Sequence, residues 1–297
     1  MSNNPVMNRN PYFQGQATTP NTQYPAANQG QYTGQGQYGQ YPQNQYDPYA
    51  QNAAQYSQQA QYAGAFQEQQ ARPGAMTYDD AMVKTLILLA VAVVSGAATM
   101  ALTPTIGSNN ILMIAIVTSI AAFVIGMVAA FQKMVKPWLA IGYALLEGIA
   151  LGALTGAVDM FYPGVGLQAV LGTVIVVGVA VFLHVSGKVR TTPKGRRIVS
   201  VVLISYIIFG VMNLILTWTG ILPGFGMRGG AVGIILGLFI IAVAGYMLIG
   251  DLETVKLAVQ KNAPREFAWT CAFGIVMTVL WIYVEILRIA MIFASDR

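Results

Sequence analysis

The sequence predicts an all-α integral membrane protein, with seven transmembrane helices behind a disordered N-terminal tail. Three observations carry that prediction. Only 9% of the 297 residues are Lys, Arg, Asp or Glu, while 55% are hydrophobic. An average soluble protein is about a quarter charged, so this chain has too little polar surface to stay dispersed in water. Seven stretches each supply the roughly 20 apolar residues that a bilayer crossing needs. Residues 1–75 are different in kind, rich in Gln, Tyr, Asn, Gly and Pro and almost free of Leu, Ile and Val.

That first segment runs in short degenerate repeats such as GQYTGQGQYGQYPQNQY. It cannot bury enough apolar surface to offset its chain entropy, so residues 1–75 are expected to be disordered. Tyr/Gln tracts also self-associate weakly, which leaves open a solvated tail and a partner-binding one. The opening MSNNPVMNRNPYF has no apolar run, so no cleavable signal peptide is expected and the first span acts as an uncleaved anchor.

The membrane domain, residues 76–297, begins at a helix-start signal. Thr77 with Asp80 three residues on resembles a capping box, and acidic residues suit the positive end of the helix dipole. The apolar spans follow at 85–103, 110–131, 137–158, 166–186, 198–219, 229–250 and 268–293. Inside lipid each must be a helix, because a lone strand leaves its backbone groups unpaired. Spans three and seven contain acidic residues and still qualify, since one intramembrane charge costs about 2.5–3.5 kcal/mol on insertion scales.

Connection charges alternate. Lys133 and Lys136 separate spans two and three, and Lys188, Arg190, Lys194, Arg196 and Arg197 separate spans four and five. Lys256, Lys261 and Arg265 follow span six, whereas the opposite connections hold only Asp159 and Arg228. The positive-inside rule therefore puts the N-terminus in the cytoplasm and the C-terminus outside. Trp138, Trp218 and Trp269 fall at span ends, where indole rings anchor at the interface.

Glycines recur at four-residue spacing. Gly148, Gly152 and Gly156 share one face of span three, and Gly229, Gly233 and Gly237 share one of span six. Such faces let helix backbones approach closely, either inside one chain or between two copies.

Few charges fall within lipid. Glu147 lies about 15 Å into span three at 1.5 Å per residue. Glu285 lies within span seven, with Arg288 three residues on and on the same face. Asp251 closes span six at its basic end. An intramembrane acid is a functional candidate by default, the alternative being a structural ion pair. Carboxyls held away from water are candidates for pH sensing, and their hard oxygens suit transient Ca²⁺ binding at Glu147, Glu285 and Asp251. His184 reads as interfacial, Cys271 as a small apolar residue and Asn213 as an interhelical hydrogen-bonding group.

Other chemistries find little support. One cysteine excludes an intramolecular disulfide, and one histidine excludes a His-pair zinc site. With no phosphate-binding loop and no nucleophile–base–orienter set, neither an enzyme nor a cofactor is expected. The net charge of +5 resides largely in connections, so it does not point to nucleic acid.

The segments IGYALLEGIALGALTG, GYMLIGDLETVKLAV and LWIYVEILRI resemble the Bax inhibitor-1/YccA family in order and spacing. MTYDDAMVKT and REFAWTCAFG look like its actinobacterial branch, whose members often carry a Gln/Tyr-rich cytoplasmic tail. The resemblance, over about residues 76–297, implies six helices around a central seventh in a bacterial plasma membrane. It also implies a pH-sensitive Ca²⁺ leak in which two carboxylates, late in helix six and in helix seven, share a proton. Asp251 matches the first position. Glu285 matches the second, and an alternative alignment puts Thr278 there. Two further functions stay open: a regulator of a membrane-bound AAA protease, engaged through the tail, and a proton-coupled small-solute transporter.

Overall fold

Local sequence sets each helix boundary in the computed structural model, which describes residues 74–224 and 226–295. The disorder expected of the tail falls largely on residues outside that range. The helices are α1 (Tyr78–Ile106), α2 (Ser108–Ala130), α3 (Pro137–Phe161), α4 (Val165–Val185), α5 (Pro193–Trp218), α6 (Gly230–Gln260) and α7 (Phe267–Ser295). All seven are long and apolar enough to cross a membrane. A short 3₁₀ turn, Gly226–Arg228, precedes α6.

The capping box at the start of α1 is complete. The Asp80 amide donates to the Thr77 hydroxyl at 3.1 Å, and the Thr77 amide donates to the Asp80 carboxylate at 3.2 Å. Pro137 and Pro193 open α3 and α5, where a missing N–H costs nothing. Gly164, at φ +87°, turns the chain from α3 into α4 while its amide donates to Asp159 at 2.8 Å. The largest difference from expectation is at the end of α6, which runs on to Gln260, so Asp251 lies inside the helix rather than at its end.

α7 is the most deeply buried helix, with α1, α3, α4 and α6 packed against it. α2 packs chiefly on α3. The glycine face of α3 meets α1 within the same chain. A Cβ on Gly148 would lie 2.8 Å from the Ala92 Cα, and one on Gly152 would lie 2.6 Å from the Gly96 Cα. On Gly156 it would lie 2.9 Å from the Thr103 Cβ. The outward faces of α2, α4 and α5 carry exposed residues such as Phe123, Val174 and Leu214, as lipid contact requires.

The basic end is stitched together. Met76, 1% exposed, donates its amide to Ala263 O at 2.8 Å, and the Arg265 amide donates to Gly74 O at 3.0 Å. Asp80 and Arg265 form an ion pair at 3.0 Å. Residues 74–80 are thereby clasped to the α6–α7 connection. α5 is the exception to close packing, because none of its residues is buried.

Candidate functional site

The loose seating of α5 leaves a crevice of about 680 Å³ between α5, α6 and α7, reaching Ala130 and Val135 at the α2–α3 junction. Thr191, Arg196, Ser200 and Thr254 line it near the basic end. Leu203, Ile207, Met247 and Met277 line it further in. Among the described residues, Asp251 is the one acid in its wall.

Asp251 accepts a hydrogen bond from the Thr278 hydroxyl at 2.7 Å. α6 and α7 run antiparallel here, which brings the late part of one opposite the early part of the other. Thr278 lies about 16 Å along α7 from Phe267, whereas Glu285 lies about 27 Å along it. The residue facing Asp251 is therefore Thr278. Asp251 and Glu285, the two acids set in correspondence by the first alignment, occupy separate centres.

A second polar group holds the mouth. The Thr191 amide donates to Glu253 at 2.8 Å, their side chains are also hydrogen-bonded, and Arg196 pairs with Glu253 at 3.2 Å. The Thr192 amide donates to the Tyr246 hydroxyl at 3.0 Å. These bonds pin the start of α5 to α6, beside the crevice and within one or two turns of Asp251.

Glu285 belongs to an ionic cluster in the opposite half of the bundle. It pairs with Arg288 at 2.8 Å and with Arg228 at 2.9 Å, and it accepts a hydrogen bond from Tyr206 at 2.5 Å. Arg228 also donates to the Tyr206 hydroxyl. Arg288 donates to the carbonyls of Arg228 at 3.0 Å and Gly233 at 3.2 Å. Glu285 is 2% exposed and Arg288 7%, whereas Arg228 is 23% exposed, so two guanidinium groups share one buried carboxylate and the second stays partly open.

The glycines of α6 serve this cluster. A Cβ on Gly237 would lie 2.7 Å from Arg288 Nη2, and one on Gly233 would strike the Arg228 carbonyl. Sequence reasoning read this face as assembly alone. In the structure its missing side chains make room for a guanidinium.

Glu147 stands apart from both centres. It is half-buried on α3, and no hydrogen bond reaches it from a described residue. Among the described residues no three His, Cys, Asp or Glu side chains gather closely enough to hold a metal ion, so Glu147, Asp251 and Glu285 do not form one site.

Sequence reasoning missed Tyr206 and Arg228 as partners of Glu285. A signal existed for Arg228, the one basic residue in the connections at its end. Tyr206 gave none, because tyrosines in apolar spans usually read as packing.

Thr278→Val leaves one Asp251 oxygen without its donor. A hydrogen bond to a carboxylate contributes about 1.5–3 kcal/mol, so a fall in thermal stability in detergent is expected. Thr254→Val, whose hydroxyl donates to Gly250 O of its own helix at 2.8 Å, is the control with a smaller effect.

A family model described as Bax inhibitor 1 like matches residues 4–295, which takes in the tail as well as the seven helices. Neither the curated proteins nor the solved structures contain a significant match to the chain.

Proposed function

The chain belongs to the Bax inhibitor 1 like family, and on that premise we propose that it is a pH-responsive cation leak of a bacterial plasma membrane. The observation that carries the reading is the placement of Asp251, a carboxyl at the wall of a crevice that Thr191, Arg196 and Thr254 line toward the basic end. With that end in the cytoplasm, as the positive-inside rule implies, a cation reaches Asp251 from the cytoplasmic side. A carboxylate there supplies the hard oxygen that Ca²⁺ prefers. Protonation removes the charge and weakens that attraction, which couples passage to pH.

The Glu285 cluster closes the path in the other half. Two guanidinium groups against one carboxylate leave an excess positive charge, which repels a passing cation. The conformation described is thus a closed one, and conduction requires α5 and the 3₁₀ turn to move off α7. Glu147, without a charged partner among the described residues, is the acid best placed to assist mid-membrane.

The test is Ca²⁺ uptake by dye-loaded proteoliposomes between pH 6 and 8. Uptake above that of protein-free vesicles, falling as the pH is lowered, is expected. Uptake equal to that of empty vesicles at every pH removes the reading.

A second reading draws support from the clasp of residues 74–80 on the α6–α7 connection. A tail that leaves the bundle there could carry a protein partner, such as a membrane protease, to the cytoplasmic face. Crosslinking from residues 1–75, compared with a chain starting at Met76, separates the two. A phenotype fully retained without the tail argues against a tail-borne partner.

A further inference from the structure

The crevice has a two-part chemistry that cation passage does not use. Its inner walls are largely apolar, formed by Leu203, Ile207, Met247, Phe273 and Met277 around the hydrogen-bonded Asp251–Thr278 pair. Apart from that pair, its polar side chains gather toward one end, with Arg196 and Ser200 on the first two turns of α5. From Pro193, the first α5 residue, Ile207 lies about 21 Å along the axis. The crevice therefore runs from the interface to near mid-membrane, which is the depth of one lipid leaflet. Because α5 buries none of its residues, the groove beside it faces hydrocarbon rather than other protein.

Cations surround the polar end. Lys194 and Arg197, both exposed, flank Arg196 on α5, and exposed Lys133 and Lys136 flank Val135 in the α2–α3 connection. The nearby acid Glu253 is already engaged by Thr191 and Arg196. Exposed Trp138 lies beside Lys136, at the level where headgroups sit.

We propose that this crevice is a binding site for an anionic phospholipid, with one acyl chain between α5 and the α6–α7 pair and its phosphate among the cations of the basic end. The apolar depth takes the chain, the uncovered flank of α5 lets it enter sideways, and the cations select negative charge. Zwitterionic lipid offers the same chain without the net charge. An acyl chain and a hydrated cation cannot share this volume, so lipid occupancy blocks access to Asp251. The site itself does not depend on the cation reading, and its test needs no flux measurement.

The test uses the full chain in vesicles containing a trace of phosphatidylglycerol with a photoreactive group near mid-chain, and separately the matching phosphatidylcholine probe. Labelled positions are mapped by peptide mass spectrometry. Phosphatidylglycerol is expected to label Met247, Phe273 and Met277 in preference to phosphatidylcholine. Lys194→Gln with Arg197→Gln is expected to reduce that preference by about 25-fold, at about fivefold for each cation near the surface. Ser200→Trp fills the crevice and removes the inner labels, and Leu203→Phe provides a second, milder filling should the first fail to fold. Labels confined to outward residues such as Phe123 and Val174 overturn the proposal. Equal labelling of the inner residues by both lipids overturns its selectivity for negative charge.

Discussion

Glu285→Leu is expected to lower stability by about 3–5 kcal/mol, the range for removing one partner from a buried ion pair. Among the described residues the carboxylate is the only negative group between two guanidinium groups, and the Tyr206 hydroxyl also donates to it. Its loss leaves buried Arg288 and partly buried Arg228 without their shared counter-charge. Arg288→Met should cost less, because Glu285 keeps Arg228 and the remaining charges balance. The double variant, Glu285→Leu with Arg288→Met, should recover part of the loss, since one unpaired charge is removed with its partner. Thermal unfolding of the detergent-solubilised protein gives the order. A Glu285→Leu protein as stable as the native chain would show that the cluster is not bonded as described.

The second large effect is expected at the α1–α3 contact. Gly152→Leu puts a side chain where a Cβ alone already lies 2.6 Å from the Gly96 Cα. The obstacle is backbone, which cannot rotate aside, so the helices must separate. Overpacking of this kind costs typically 1–3 kcal/mol, and the upper end is expected here. Gly178→Leu is the matched control, because a Cβ on Gly178 meets nothing within 4 Å. Its melting temperature should stay close to the native value while that of Gly152→Leu falls. Equal behaviour of the two variants would return the α3 glycines to a contact between copies.

The fold was largely legible because lipid simplifies the code. A span must be apolar and helical, so hydropathy and connection charge locate each helix without knowledge of its neighbours. Even the Thr77–Asp80 cap could be read, since its bonds are local. Helix ends beyond lipid were less visible. α6 continues past Asp251 to Gln260 because LETVKLAVQ is a good helical sequence, and hydropathy is silent about a helix that leaves the membrane.

The sites were legible residue by residue and much less so as pairs. Glu285 with Arg288 followed from three-residue spacing on one helix. The partners of Asp251 and the second arginine on Glu285 depend on how α5, α6 and α7 are registered against one another. That register is set by packing contacts far apart in sequence. Thr278 entered the sequence reading only through an alternative alignment, and its bond to Asp251 favours that register over the one pairing Asp251 with Glu285. The crevice was invisible for a related reason. It exists because α5 fails to bury a face, and the apolar sequence of α5 looks the same against protein or lipid.

On the proposed reading, Asp251 governs the response to pH while Glu285 holds the bundle closed. Its most direct test is Ca²⁺ uptake into proteoliposomes from pH 6 to 8 for the native chain, Asp251→Asn and Glu285→Gln. Asp251→Asn is expected to flatten the pH profile. Glu285→Gln is expected to keep the pH profile, because it changes the cluster without touching the crevice. A native profile in Asp251→Asn together with a flat one in Glu285→Gln would contradict the assignment.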